Sequence, residues 1–502
     1  IDLLGNVSSL SPIDEFPAFS FVLGDLHPHV LVMPFVMLLV ALALNVYRGG
    51  MEREMKLVGT GIPYRLDLFF VSAIALGGIA FLNTWDLPVY FSLLTGAYLL
   101  RKVTQRGWDW DRLFEFLYFA LPLALVSLLL YTPFFISFQS QAGGISPNLI
   151  YPTRGLYLWL MFGPLFVAIF LFFGWLWRRR ANSEWRWGIL IVLLLIVSLY
   201  ALSVVLGFRL AQTQAGQQMI QGQGQSSFGG FLFSALQHRL SYGFSLLTLV
   251  FLLAVSLSYL LGLLKASRDP RVHTPGVLGF ILLMVFLGGL MVLGPEFLYL
   301  RDNFGARMNT VFKFYYQAWM LWSLAASFAA VVVLKRGSWI SKVVFTVFVI
   351  AGLVYPILAF PSKTNNFQPE GGYSLDAAAY MAVFQPDEAA VIDWIAQAKK
   401  GVLAEAVGGQ YSGFARVSTL SGQPSVLGWP GHQGQWRGGY EEVGTRQGDI
   451  ALLYETPDWL TALEIIRRYD IRYIYLGALE MNTYALNLGK FEQNLRLGFR
   501  RG

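Results

Sequence analysis

Three carboxylates and two of the chain's five histidines are packed into residues 14–29, DEFPAFSFVLGDLHPH, just ahead of a long apolar run. Asp25, His27 and His29 stand at i, i+2 and i+4, and Pro28 pushes His27 into an extended conformation. Alternate side chains of an extended segment share a face, so these three groups can converge on one point. Neutral imidazoles beside a carboxylate suit a divalent metal, and protonated ones suit a phosphate. A helix starting near Pro28 would add free N–H groups and a positive dipole end, which together favour an anion. The competing reading is a re-entrant turn in which the histidines only tie loop to helix. Ionisable groups at a membrane boundary are costly and usually have a use, which weighs toward function.

Two further stretches carry charge where apolar residues dominate. In residues 301–317, RDNFGARMNTVFKFYYQ, Asn309 or Thr310 is placed to cap a helix, with Arg301 and Arg307 ahead of it. Lys313 and Gln317 follow one turn apart on one face. A lysine near a helix N-terminus opposes the dipole, so stability alone does not explain it. A phosphate would, since it accepts from Arg, Lys and backbone N–H together. Snorkelling toward lipid head groups is the alternative. Asp86, in NTWDLP (83–88), is either the N-cap of the helix begun by Pro88 or a catalytic group. In WPGHQGQWRG (429–438), Trp429, His432, Trp436 and Arg437 fit a sugar or phosphate surface, or a membrane-interface anchor.

The elements that must position these groups follow from composition. The 502 residues are 55% hydrophobic and 13% charged, with a mean hydropathy of +0.53. Apolar runs recur through the first 360 positions and predict ten spans, near 29–47, 67–83, 86–102, 113–136, 155–177, 187–209, 242–264, 275–294, 311–334 and 339–359. Eighteen basic residues follow odd-numbered spans and six follow even-numbered ones. By the positive-inside rule the acidic connections, with Arg301, Arg307 and Lys313, face outward. The net charge of +7 therefore reads as topology and not as nucleic-acid binding. The Gln/Gly/Ser-rich connection 210–241 reads as a mobile loop, either a lid or a plain connector. The chain has no cysteine, which excludes disulfides and thiolate metal sites. It opens on Ile1 without a signal peptide and reads as a fragment of something longer.

After residue 360 the character changes. Residues 361–502 carry regular charge and no spanning segment, with helices expected at 386–400 and 459–469 and buried strands at 402–406 and 471–477. That alternation predicts a small α/β domain, and ten crossings place it outside the cytoplasm. No Walker loop, dinucleotide fingerprint, HExxH or GxSxG is present.

The motifs EFPAFSF…GDLHPH (15–29), NTWD (83–86), RMNTVFKFYYQ (307–317) and LGW…QWRG (427–438) resemble those of the YYY family of bacterial and archaeal multi-spanning proteins. The resemblance covers essentially the whole chain. That family carries a tyrosine-rich motif in an amino-terminal helical portion that has no counterpart here. It is remotely similar to GT-C glycosyltransferases such as protein mannosyltransferases. The resemblance implies a mainly α, polytopic fold with a polyprenyl-phosphate sugar as donor and an acceptor hydroxyl on the outer face. Asp25, Glu15 or Asp86 would be the base. Arg307, Lys313, His27, His29, Arg301 and Gln317 would bind phosphate or substrate, with Asp25, His27 and His29 also candidate metal ligands. Trp429, His432, Trp436 and Arg437 would face the acceptor. A transporter or flippase of a lipid-linked anion is the alternative, although transport needs a polar path through both leaflets. A non-catalytic membrane scaffold is the third reading. The oligomeric state is not legible.

Overall fold

The computed structural model describes residues 2–500 apart from 7–14, 25, 53–54, 58–59, 63, 141, 267–275, 303–304 and 377. Asp14, Asp25, Arg53, Arg268, Arg271 and His273 thus lie outside the described residues. The chain divides into two compact units, Ile1–Ile136 with Ala142–Lys363, and Ser137–Gln141 with Thr364–Gly502.

The first unit is helical. Among the described residues seven helices are long and apolar enough to cross a membrane: Trp110–Leu130, Gly155–Arg178, Trp185–Ala211, Phe244–Ala266, Leu278–Phe297, Met308–Arg336 and Trp339–Lys363. The other three predicted spans are helices too, but fall short of that standard. Met33–Tyr47 and Leu66–Leu82 have 15 and 17 residues, roughly 22–26 Å of helix against a hydrocarbon core of about 30 Å. Leu87–Arg106 brings Arg101, Lys102 and Arg106 into its last turns.

Met308–Arg336 packs on Leu278–Phe297 and Gly155–Arg178, and Phe244–Ala266 on Leu278–Phe297 and Trp185–Ala211. Close approach depends on small residues, as expected where lipid is as apolar as leucine. A Cβ on Gly288 would lie 2.5 Å from the indole nitrogen of Trp322, which is fully buried and donates to the Val285 carbonyl at 3.0 Å. No residue of Trp339–Lys363 is buried in the protein, as a helix solvated by acyl chains requires.

The connection 210–241 corrects the sequence expectation. It forms two helices, Gln214–Gly222 and Phe228–Ser241. Thr213 and Ser227 cap them by accepting from Gly216 N and Gly230 N at 3.1 and 3.2 Å. Ile220, Phe231 and Ala235 then bury against Leu149, Ile150 and Ala211. Two caps and one apolar face outweighed a Gln/Gly-rich composition.

The second unit contains strands Val402–Ala404 and Ile471–Ile474, paired parallel. Helix Pro386–Gln397 precedes the first and Trp459–Arg468 the second. Asp458 caps the latter, accepting from Thr461 N at 2.8 Å. Leu403, Ile450, Leu453, Tyr454 and Ala462 are fully buried. Beyond the strand ends, Arg416 bonds both Glu388 and Glu480 and lies 5.4 Å over the Tyr475 ring. Glu480 is fully buried, and Glu405 accepts from Val417 N and Ser418 N at 2.9 Å each.

Candidate functional site

Two X-Pro steps shape the first motif. Phe16 is extended (φ −136°, ψ 158°) ahead of Pro17, which opens the helix Pro17–Leu23, and Gly24 ends that helix in the left-handed region at φ 67°. His27 is extended again (φ −57°, ψ 154°) before Pro28 opens the short helix Pro28–Leu31. The double turn brings Glu15 back onto His29, with Glu15 Oε2 3.3 Å from His29 Nε2 and accepting from Ser20 Oγ at 2.9 Å. Those hydrogen bonds hold the Glu15 carboxyl below its ordinary range, the one from His29 foremost. The rings of His27 and His29 are 5.4 Å apart. His29 is buried, edge-on to Phe312 at 4.7 Å and Tyr316 at 4.6 Å, which flank Lys313 on Met308–Arg336.

Asp86 reaches the same place from another direction. Asn83 breaks the Leu66–Leu82 helix, a 3-10 turn spans Thr84–Asp86, and Leu87-Pro88 restarts the chain as Leu87–Arg106. Asp86 occupies the N-cap position but makes no capping hydrogen bond. Its Oδ1 instead accepts from Asn83 Nδ2 at 3.0 Å. The carboxyl is fully buried.

Lys313 lies where its charge acts on Asp86, Glu15 and His29. Its Nζ sits 5.0 Å over the Phe312 ring, and among the described residues it has no ion pair. Asp86 Oδ2 and His29 Nδ1 are buried with no hydrogen-bond partner among the described residues. One turn on, Gln317 accepts from Tyr90 Oη at 2.6 Å, both side chains buried. Beside Glu15, Phe16 stacks on Trp319 at 5.9 Å. They line an almost wholly apolar cavity of about 410 Å³ with Met37, Ser323 and Gly352.

The structure thus brings Glu15, His27, His29, Asp86 and Lys313 together. Asp25, the third member of the expected metal set, lies outside the described residues. Among the described residues no group of three His, Asp or Glu side chains is arranged to hold a metal ion.

Arg307 belongs to a different network. It is itself the N-cap residue of Met308–Arg336, in place of Asn309 or Thr310. Thr310 Oγ1 accepts from Leu300 N at 3.1 Å, and Asn309 donates to Asp302 at 2.7 Å. Arg307 Nη1 lies 3.1 Å from Glu296, a buried carboxylate that also accepts from the Thr153 hydroxyl and backbone N–H. Arg239, buried as well, stands 3.8 Å from the same carboxylate and donates to Asn148 O at 2.8 Å. Six residues of helix, about 9 Å of rise, separate Arg307 from Lys313. Arg301 is exposed and donates to the Gly143 carbonyl at 2.6 Å.

Sequence reasoning missed Ser20, Tyr90, Asn148, Thr153 and Arg239 as partners. The NTWD spacing was the one readable signal for Asn83. Trp429, His432, Trp436 and Arg437 lie in the second unit, in or next to the helix Pro430–Trp436.

A model of the family described as "Uncharacterized membrane protein (DUF2298)" matches residues 10–322. The matched stretch takes in every member of the charged cluster and ends before Thr364, where the larger part of the second unit begins. No curated protein and no solved structure matches the chain.

Proposed function

We propose a function from one premise: the chain belongs to the DUF2298 family of multi-pass membrane proteins. On the reading favoured here it is a glycosyltransferase that moves a sugar from a polyprenyl-phosphate donor to an acceptor hydroxyl. The observation that carries this is a cation, Lys313, that has no ion pair among the described residues and whose charge acts on Asp86 and His29, each of which buries a polar atom with no partner among those residues. A membrane protein holds such groups in reserve when a ligand satisfies them.

In this reading Lys313 takes the phosphate, and the apolar cavity beside Glu15 suits the start of an isoprenoid chain. Asp86 is the favoured base, since its buried Oδ2 has no partner among the described residues and can accept a proton. It takes the acceptor hydroxyl's proton as oxygen attacks the anomeric carbon. The bond from that carbon to phosphate breaks, and Lys313 steadies the departing phosphate. Glu15, already accepting from Ser20 and His29, acts through His29 as a positioning residue. His29 Nδ1, His27 and Asp25 are donors of the type a divalent cation takes, and one held there would neutralise further phosphate charge. Arg307, paired with Glu296, and Arg301, bonded to the Gly143 carbonyl, take no part in this reading. The basic-residue asymmetry supports placing the cluster and the second unit on the outer face.

The test is the chain in lipid bilayers with labelled polyprenyl-phosphate sugars, scored separately for donor binding and product. The expected result is product formation that drops by about 10²–10⁴ in Asp86→Asn, with donor binding retained. Full product formation by Asp86→Asn and Glu15→Gln would end the base assignment, and flux without product would favour transport.

A further inference from the structure

The second unit carries a row of four rings that the charged cluster does not use. Tyr411 lies 5.7 Å from Trp429 and 5.0 Å from His432, Trp429 lies 5.3 Å from His432, and His432 stacks on Trp436 at 5.4 Å and 25°. Trp436 and Tyr411, the ends of the row, are each 65% exposed. The row is held in place from several sides. Trp429 Nε1 donates to the Phe414 carbonyl at 2.8 Å. His432 and Trp436 are four residues apart on Pro430–Trp436 and so share a face. His432 Nε2 meets Tyr411 Oη at 3.2 Å.

Tyr411 has φ +57°, in the left-handed region that a residue with a Cβ rarely adopts. That conformation costs free energy and holds the ring in solvent, where burial returns nothing. Strain of this kind at an exposed aromatic points to a ligand. Arg437, ion-paired with Glu442 and bonded to Gln433 at 3.0 Å, supplies a polar rim of donors and acceptors.

We propose that this row is a saccharide-binding shelf. A pyranose ring has a face of C–H groups with slight positive character, which complements the negative faces of Trp436 and Tyr411. Its hydroxyls both donate and accept, as the amide, guanidinium and carboxylate of the rim require. Resting on the transferase reading, the shelf makes the acceptor a glycan.

The experiment is saturation-transfer NMR on the full chain in nanodiscs, with cellotriose, maltotriose and tri-N-acetylchitotriose as probes. At least one trisaccharide should receive saturation at its ring protons. Trp436→Ala and Tyr411→Ala should each reduce the effect at least fivefold, Trp436→Phe should keep it, and Trp339→Ala, in the other unit, should leave it unchanged. Melting curves identify any variant that has lost its fold, and Trp436→Phe then carries the test. No transfer to any of the three probes, or equal transfer in Trp436→Ala, overturns the shelf. A nitroxide at position 436 that reports bilayer depth would overturn it in favour of an anchor. Saccharide binding does not depend on turnover. Absent binding with intact sugar transfer therefore sinks only the shelf, and intact binding without transfer sinks only the transferase.

Discussion

Lys313 sits one turn and a half into a helix whose dipole disfavours it, with no ion pair among the described residues to hold it there. Replacing it with methionine keeps the length and removes the charge. Donor binding should weaken on the order of tenfold to a hundredfold, the worth of a charge-assisted hydrogen bond, measured by equilibrium binding of labelled polyprenyl phosphate. Unchanged binding would remove Lys313 from the site. The missing partners of Lys313 and Asp86 were not readable from residue types alone. Asp86 stands where a cap belongs, and only its buried oxygen distinguishes it from one.

Helices show the same division between what pattern reveals and what packing decides. Every expected span is a helix, because apolar length is written continuously into the chain. Partners are not. Arg307 reads as a free cation before a helix, yet Glu296, eleven residues back, satisfies it through a turn that the sequence does not announce. The glycines of the helices mark such contacts. A Cβ on Gly188 would meet Ser258 backbone N at 2.8 Å and Cα at 2.9 Å, whereas Gly174 has nothing within 4 Å. Gly188→Val should therefore cost about 1–3 kcal/mol as overpacking and lower the melting temperature in detergent, with Gly174→Val as the mild control. In the second unit Arg416→Met would strand Glu388 and the buried Glu480. A loss of roughly 3–5 kcal/mol is expected, seen as a lower denaturant midpoint for that unit. A near-neutral result would mean that the carboxylates take up protons readily.

For the molecule as a whole, orientation remains the most direct test of the ten-span reading. The chain has no cysteine, so single cysteines report cleanly. Gln221 and Gln447 are exposed and should react with an impermeant thiol reagent in intact cells, while exposed Asn182 should not. Labelling at Asn182 alone would reverse the topology derived from basic residues. The small strand-containing unit was legible because its charge and short apolar runs contrast with the spans before it. That Ser137–Gln141 belongs to it was not, since nothing in five residues names a partner more than two hundred positions away.

This split membership has a consequence for biosynthesis. Ser137–Gln141 leaves the ribosome about 220 residues before Thr364 begins the rest of its unit, a wait of roughly 10–45 s at ordinary elongation rates. Several apolar helices must be inserted in the interval while that short segment has no docking place. A message truncated after Lys363 would leave it exposed for the lifetime of the product. Quality-control proteases would then meet the same hydrophilic tether in every incomplete chain, whichever later residue the truncation removed.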